Sequence, residues 1–148
     1  MNGLSEAGSW FDYPMLAQPH HTDYSGVVWH GAYLTWMEEA RIEALNKAGI
    51  GFAELVAIGC DLPVVDLSLS YRKSVRMGES IRVRTRLDRI EKVRFLWTQN
   101  ICALDSDSCY VAAQVVLVPV DRDSRRILRK FPPLLEEAIA VLRPQTVL

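Results

Sequence analysis

The change of hydrophobic period along the chain is the feature that most constrains its fold. Between His30 and Ala48, apolar residues recur every three or four positions, as on one face of a helix. After Cys60 the period changes to two, and the alternating segments that follow are separated only by short polar stretches. Strands joined by short turns pair antiparallel. The sequence therefore predicts an α+β fold in which one long helix covers one face of an antiparallel sheet.

The other predicted elements are placed by prolines, glycines and periodicity. An edge or irregular strand is predicted at 11–18, because Pro14 cannot donate to a strand ladder. Gly49 ends the long helix, and a short second helix at 52–58 stops at Gly59. The remaining elements are four strands and a terminal helix, at 65–71, 80–90, 93–104, 109–120 and 132–143.

Length and composition predict a single domain. With 148 residues and 49% hydrophobic content, the chain can bury a full core without disulfides or a metal. We interpret 1–148 as one domain whose residues 1–10 form a loose arm. The three cysteines lack any metal-binding spacing and are expected to be free thiols in a reducing compartment.

The charge balance argues against two classes of partner. A formal net charge of −1 gives no indication of general nucleic-acid binding or of attachment to a membrane surface. The N-terminus has no basic region followed by an apolar one, and no apolar run is long enough to cross a bilayer. These features predict a cytoplasmic protein without a membrane span.

Two ionisable residues and a glycine turn stand at the start of the long helix. The ionisable residues are Asp23 and His30, and Gly26 lies between them. An Asp before a glycine turn is usually a turn or cap residue, and spacing alone favours that interpretation. The alternative is a general base or nucleophile that attacks a carbonyl, with the oxyanion held by the backbone NH groups of His30 and Gly31. His30 itself could act as an acid, a base or only a cap. Adjacent histidines such as His20 and His21 point to opposite faces of a strand, so metal binding is not expected.

Two groups of basic residues are candidates for binding a phosphorylated ligand. Arg82, Arg84 and Arg86 are better explained as the solvated face of a strand. The first group provides the phosphate candidates Arg72, Lys73, Arg76, Arg89, Lys92 and Arg94. The second group is Arg122, Arg125, Arg126, Arg129 and Lys130. Among the aromatic residues, Trp29 is the best candidate to line a pocket, whereas Tyr33, Trp36 and Trp97 fit a core.

The stretch around the long helix resembles the hotdog-fold acyl-CoA thioesterases of the 4-hydroxybenzoyl-CoA thioesterase family, particularly the branch found alongside the Tol-Pal system. The matching residues are Asp23, Gly26, Val27, Val28, Trp29, His30, Tyr33, Glu38, Ala40, Arg41 and Glu43. The segments 68–72 and 77–83 also resemble the family. One position departs: His21 stands where members commonly have a second acidic residue, which puts the electrostatic surroundings of Asp23 in question.

The resemblance implies a hotdog fold, an antiparallel sheet wrapped around a long central helix, in homodimers or homotetramers. It implies that Asp23 and His30 are catalytic, that the NH groups of His30 and Gly31 hold the oxyanion, and that no cofactor or metal takes part. The expected pocket residues are Gly26, Val27, Trp29 and Tyr33.

Three activities are consistent with the resemblance. The first is hydrolysis of an acyl-CoA or aroyl-CoA to the free acid and CoA. The second uses acyl carrier protein as the thiol carrier, docked by a basic patch such as Arg125, Arg126 and Arg129. The third is acyl-CoA binding without turnover. A hotdog dehydratase is disfavoured because the chain lacks a His-Phe-Pro type of motif.

Overall fold

The computed structural model describes residues 8–143 and contains a five-stranded antiparallel sheet with one long helix packed on it. The helices are α1 (His30–Lys47), α2 (Phe52–Ala57) and α3 (Pro133–Leu142), and a short 3₁₀ helix covers Pro19–His21. The strands, numbered in chain order, are β1 (Phe11–Leu16), β2 (Cys60–Asp61), β3 (Val64–Tyr71), β4 (Ser80–Glu91), β5 (Arg94–Ala103), β6 (Cys109–Leu117) and β7 (Val120–Asp121). The main sheet has the order β1-β4-β5-β6-β3, and β2 pairs with β7.

Helix α1 packs its small and aromatic residues against the sheet. Trp36 and Ala40 are fully buried, and Met37 is nearly so. Ala40 follows Trp36 by four residues and Met37 by three, which is the helical spacing from which the helix was predicted. The small alanines allow the helix to approach the strands closely. Gly49 follows the helix with a φ of +105°, a left-handed conformation that glycine adopts without strain.

The two faces of β4 differ as its alternation predicts. Ile81, Val83 and Leu87 are buried in the hydrophobic core. Arg82 and Arg84 lie on the opposite face and pair with Asp12 at 3.2 and 3.0 Å. These arginines therefore lie on the face opposite the core, as predicted, although ion pairs leave their side chains only partly exposed to solvent.

The chain before β1 is attached to this same sheet. Gly8 donates a backbone hydrogen bond to the carbonyl of Leu87, and the ring of Trp10 stacks on Arg84 and Arg86 at 4.6 and 4.3 Å. Of the arm predicted at 1–10, residues 1–7 lie outside the described part of the chain. Gly8 is held on β4 by its hydrogen bond to Leu87. Trp10 is held there because cation–π contacts with the arginines stabilise its ring in one position.

The sheet has two dissimilar edges. β1 is an edge strand, as its proline predicted, with Pro14 opposite Arg82. β3 forms the other edge and was expected to be half-buried, but Val65, Leu67 and Tyr71 are 49%, 40% and 50% exposed. The difference arises because α1 lies nearest to β4 and β1, towards the opposite edge of the sheet, while β3 has only β6 as a neighbour.

A polar cluster lies in the core between α1 and the sheet. Arg41 is 7% exposed and donates from Nη1 to Oε1 of Gln99 at 2.9 Å. The amide of Gln99 donates to the carbonyl of Met37 and to Oγ1 of Thr85, both at 2.9 Å. Gln99 therefore connects the helix to two strands and satisfies part of the hydrogen-bonding capacity of a buried guanidinium.

Short elements account for the other differences from the sequence prediction. β6 ends at Leu117 rather than at 120, because the chain turns into β7. Neither β2 nor β7 was predicted, since two residues are too few to show an alternation. The three cysteines are free thiols, as expected, with Cys60 and Cys102 buried and Cys109 partly so.

Candidate active site

The segment before α1 forms a tight turn around Asp23. Thr22 bridges Val28, and the amide of Asp23 donates to the carbonyl of Val27 at 2.9 Å. Gly26 has a φ of +76°, which lets the chain reverse without a steric penalty. The amide of Ser25 donates to Oδ1 of Asp23 at 2.8 Å. The carboxylate therefore makes the Asx-type turn that spacing alone favoured.

The same carboxylate remains available for chemistry. Asp23 is exposed, and within the described residues its only side-chain hydrogen bond is the one from Ser25 to Oδ1. Since an ionised carboxylate has several acceptor positions, Oδ2 is free to meet a water or a substrate. The turn therefore fixes the position of the carboxylate group and leaves one of its oxygens available.

Two neighbouring segments hold this turn against the start of α1. The amide of Trp29 donates to the carbonyl of His21 at 2.8 Å, and the amide of Val28 donates to the carbonyl of Val75 at 2.7 Å. The amide of Val75 in turn donates to the hydroxyl of Tyr33 at 3.0 Å. Val28 and Val75 are buried. The loop 72–79 therefore clamps the segment that carries Asp23.

The first turn of α1 presents backbone NH groups that lack acceptors. Trp29 is the N-cap residue and makes no side-chain cap. The amide of Ala32 donates to the carbonyl of Trp29, whereas no acceptor within residues 8–143 meets the amides of His30 and Gly31. Free NH groups at a helix N-terminus attract negative charge. The sequence analysis predicted that these two NH groups bind the oxyanion, and that role stays a prediction.

Aromatic side chains surround this helix start. The ring of Trp29 lies over Gly31, where an added Cβ would overlap it, and is 52% exposed. The exposed ring of His30 lies 5.0 Å from that of Trp29, and the hydroxyl of Tyr71 donates to the carbonyl of His30 at 3.0 Å. Glycine at position 31 thus leaves the space that the indole fills.

The predicted pocket residues occupy different environments. Gly26, Val27 and Trp29 belong to the turn and its approach to the helix, and Val27 bridges Arg76 across the loop. Tyr33 is 2% exposed and packs its ring against Trp36 and Tyr71. In the single chain Tyr33 therefore supports the site from behind through its bond with Val75, rather than facing an open cleft.

The phosphate candidates divide into two sets. Arg72, Lys73 and Arg76 are exposed on the loop that clamps Asp23. Glu79 shapes this loop, accepting from the amide of Arg76 at 2.7 Å and from the hydroxyl of Tyr110 at 2.8 Å. Burial, followed by Glu79, raises the pKa of Tyr110 to about 12, so its hydroxyl remains a donor.

The other three phosphate candidates lie at the far end of the sheet. Arg89 and Arg94 are near the turn between β4 and β5, where Lys92 has a φ of 59°. Ten residues of extended strand separate Arg89 from Glu79, which is about 33 Å at the usual rise. Within one chain the structure does not bring Arg89, Lys92 and Arg94 to Asp23.

The second basic group lies on the loop between β7 and α3. Arg125 pairs with Asp61 at 2.9 Å, and its neighbours on the loop are exposed. Arg125 has a φ of 62°, which marks a tight turn. This surface is separate in the fold from the loop that clamps Asp23.

His21 has a structural contact that the sequence did not suggest. Its Nδ1 accepts the amide of Gln18 at 2.9 Å, and its ring packs edge-on against Trp36 at 5.1 Å. Its carbonyl holds Trp29. The residue that departs from the family pattern therefore anchors the 3₁₀ helix to the helix start.

The stability of this region is expected to fall as the pH is lowered. Burial, followed by the neighbouring His20, lowers the pKa of His21 below its ordinary value of 6.5. The unfolded chain then binds the proton more readily than the folded chain, and a protonated Nδ1 cannot accept from Gln18. The contribution of His21 to stability is fully present above its pKa in the unfolded chain. It is lost as the pH falls through its lower pKa in the folded chain. Denaturation midpoints measured from about pH 7.5 to 5 should fall more steeply for the wild type than for His21→Asn; parallel curves would contradict this.

Neither a metal site nor a membrane helix is found in the described residues. No group of three His, Cys, Asp or Glu side chains between residues 8 and 143 is arranged to hold a metal ion. Over the same range, no helix has both the length and the apolar character needed to cross a bilayer.

Comparisons with known proteins give consistent results. The family model described as the thioesterase superfamily matches residues 25–110. A Synechocystis sp. protein that is named, provisionally, as an esterase is 44% identical over 134 residues, which is 90% of this chain and 81% of that protein. The acyl-CoA thioester hydrolase YbgC of Escherichia coli is 25% identical over 111 residues, 75% of this chain and 82% of its own.

Solved structures share the architecture. The DHNA-CoA thioesterase of Staphylococcus aureus superposes with a TM-score of 0.81 at 26% identity, covering 88% of this chain and 89% of that one. The hotdog fold expected from the sequence is thereby confirmed.

Proposed function

Because the chain belongs to the thioesterase superfamily and is a thioester hydrolase, we propose that it hydrolyses acyl-CoA or aroyl-CoA thioesters at Asp23. The proposal rests on two features of one segment. The carboxylate of Asp23 is exposed and has one oxygen without a hydrogen bond, and the amides of His30 and Gly31 lack acceptors within residues 8–143. One supplies a base or nucleophile, and the other supplies donors for developing negative charge.

The reaction can proceed by either of two routes. As a general base, Asp23 takes a proton from water while the water oxygen attacks the thioester carbon. The carbon–sulfur bond then breaks, and the proton passes to the departing thiolate, which gives the free acid and CoA. As a nucleophile, Asp23 forms a mixed anhydride and expels the thiolate. Water then cleaves the anhydride, which frees the acid and restores the Asp23 carboxylate, and the proton released from water passes to the thiolate. In both routes the amides of His30 and Gly31 stabilise the oxyanion, and no metal or cofactor takes part.

The surrounding residues have distinct proposed roles. Gly26, Val27 and Trp29 form the wall beside the thioester, and Tyr33 holds the loop 72–79 in place. The imidazole of His30 is exposed beside the ring of Trp29 and can donate to the substrate. Arg72, Lys73 and Arg76 lie on the clamping loop, where they would meet the phosphates of CoA.

A substrate panel tests the proposal. Thiol release would be followed with short aliphatic, long aliphatic and aromatic CoA thioesters, alongside the same acyl groups on acyl carrier protein. Turnover of CoA esters is expected, and neutralising Arg72 and Arg76 to Gln should raise KM for CoA esters. Saturable binding without turnover would instead support an acyl-CoA-binding protein.

The carrier-protein alternative is favoured by the exposed basic loop that follows β7. Arg125, Arg126 and Arg129 could meet an acidic carrier protein, because opposite charges speed and orient association. A faster reaction with carrier-protein esters, lost in an Arg126→Gln, Arg129→Gln double variant, would establish this alternative.

We also propose that the chain forms homodimers through β3. An edge strand with exposed apolar side chains is a template for pairing with another strand, and Val65 and Tyr71 supply such a surface. A second copy that pairs in the same way buries identical surfaces on both chains. A tetramer would need a further contact between dimers.

The variant Val65→Lys is expected to abolish this association. A lysine on an edge strand disfavours strand addition, because its charge would have to be buried in the new pair. Light scattering should give the mass of a dimer for the wild type and of a monomer for the variant, with unchanged circular dichroism. A wild type that is monomeric at micromolar concentration, or a variant of unchanged mass, would contradict the proposal.

A further inference from the structure

A cleft of about 230 Å³ lies between α1 and the edge strand β3. Its walls are mainly apolar, and two charged residues of α1 also face it. The lining residues include Leu34, Met37, Glu38, Arg41, Val64 and Leu67. A smaller cleft of about 100 Å³ shares Glu38 and Arg41 and continues past them towards Leu45 and Cys60.

The larger cleft follows the face of α1 that begins at the candidate site. Positions 30, 34, 38 and 41 are three or four apart and therefore share one face of the helix. Leu34 lies one turn after His30. At the helical rise, Arg41 lies about 16 Å from His30 along the axis. A group held at the amides of His30 and Gly31 could therefore extend along this face towards Arg41.

Arg41 is an unusual residue for the end of an apolar cleft. It is 7% exposed, and within the described residues its one hydrogen bond goes to Gln99. No carboxylate of residues 8–143 forms an ion pair with it. A guanidinium carries five NH donors, so donor capacity remains after the bond with Gln99.

The electrostatics of Arg41 favour an incoming oxygen atom. Burial lowers the pKa of Arg41, and exposed Glu38 opposes that effect. A buried charge without a close counter-charge is costly, and part of that cost is recovered when a strong acceptor binds. The apolar walls would accept the hydrocarbon between the thioester and that acceptor.

We propose that this cleft holds the acyl group and that Arg41 is a specificity-determining residue, which selects acyl groups carrying an oxygen acceptor at the end remote from the thioester. This inference rests on the proposed function. A terminal carboxylate would bind Arg41 by charge, whereas a terminal hydroxyl could accept from Arg41 and donate to Glu38. Both terminal groups place an oxygen acceptor at the end of an apolar chain.

The test uses CoA thioesters of equal length that end in a methyl, hydroxyl or carboxylate group, in a series that extends to about 16 Å. Wild-type kcat/KM should favour the better oxygen-bearing ester over the methyl ester by about tenfold to a hundredfold, the range for hydrogen bonds to charged groups. Arg41→Met should remove the preference, and Arg41→Lys should retain part of it. The matched control is Arg86→Met, which alters an arginine on the opposite face of the sheet and should preserve the preference.

The outcomes separate this inference from the proposed function. A purely structural role for Arg41 would lower kcat/KM for all three esters alike, so an unchanged ratio in Arg41→Met overturns the inference. If that variant does not fold, absence of the preference in the wild type overturns it equally. Binding of the corresponding S-alkyl-CoA thioethers, measured by calorimetry, gives the same comparison without turnover. A preference among thioethers in a protein that hydrolyses no ester would uphold the subsite and reject the proposed reaction.

Discussion

Replacing Asp23 with Asn is expected to lower kcat for thioester hydrolysis by about 10²- to 10⁴-fold, the usual contribution of a positioned base. The variant retains an oxygen that can accept from the amide of Ser25, so the turn should persist. It loses the charge that activates water or attacks the thioester. Thiol release under saturating substrate measures the effect.

The matched control for Asp23 is Asp107→Asn. Asp107 is also exposed, and its carboxylate pairs with Arg82 on the far face of the sheet. This variant should retain the wild-type rate, because an exposed ion pair contributes little. An Asp23→Asn enzyme within a fewfold of the wild type would rule out the proposed chemistry. A single turnover in isotopically labelled water then separates the routes, since only a nucleophilic Asp23 acquires the label in its carboxylate.

Replacing Gln99 with Leu is expected to destabilise the fold by roughly 2 to 5 kcal/mol. The change removes the acceptor of Arg41 and the donor to Met37 and Thr85, and it leaves a buried guanidinium without its partner. Urea denaturation gives the free energy of unfolding. A loss below about 1 kcal/mol, as for an ordinary surface substitution, would contradict this assignment.

The control for Gln99 is Gln114→Leu, on the neighbouring strand β6. Gln114 is exposed, so its replacement should change stability by no more than about 0.5 kcal/mol. Combining Gln99→Leu with Arg41→Met removes both partners. The double variant should be less destabilised than the sum of the two single variants, because no charge remains buried and unpaired.

Periodicity was sufficient to predict the large elements. The helix expected from His30 to Ala48 is observed from His30 to Lys47, and the two-faced strand at 80–90 is β4. Both are long and have one face buried, so the pattern repeats often enough to be unambiguous. The exposure of β3 was not predictable in the same way, because alternation does not reveal how many neighbours a strand has.

The candidate site was only partly predictable. The positions of Asp23, His30 and Gly31 follow from the turn and helix start that the sequence encodes. The clamp by Val75 and the anchoring by His21 depend on contacts between segments that are distant along the chain or irregular, for which no periodic signal exists. Arg41 did carry a signal, since it falls within the buried stripe that contains Met37, Ala40 and Ala44.

The unequal edges of the sheet also limit how far the protein can assemble. Pro14 lies in β1 and lacks an NH group, and Asp12 of the same strand is engaged with Arg82 and Arg84. A further strand would find fewer donors there. If two copies join through β3, both receptive edges are consumed, and only the β1 edges remain at the ends. Growth by strand addition then stops at a pair instead of continuing into an open-ended fibre.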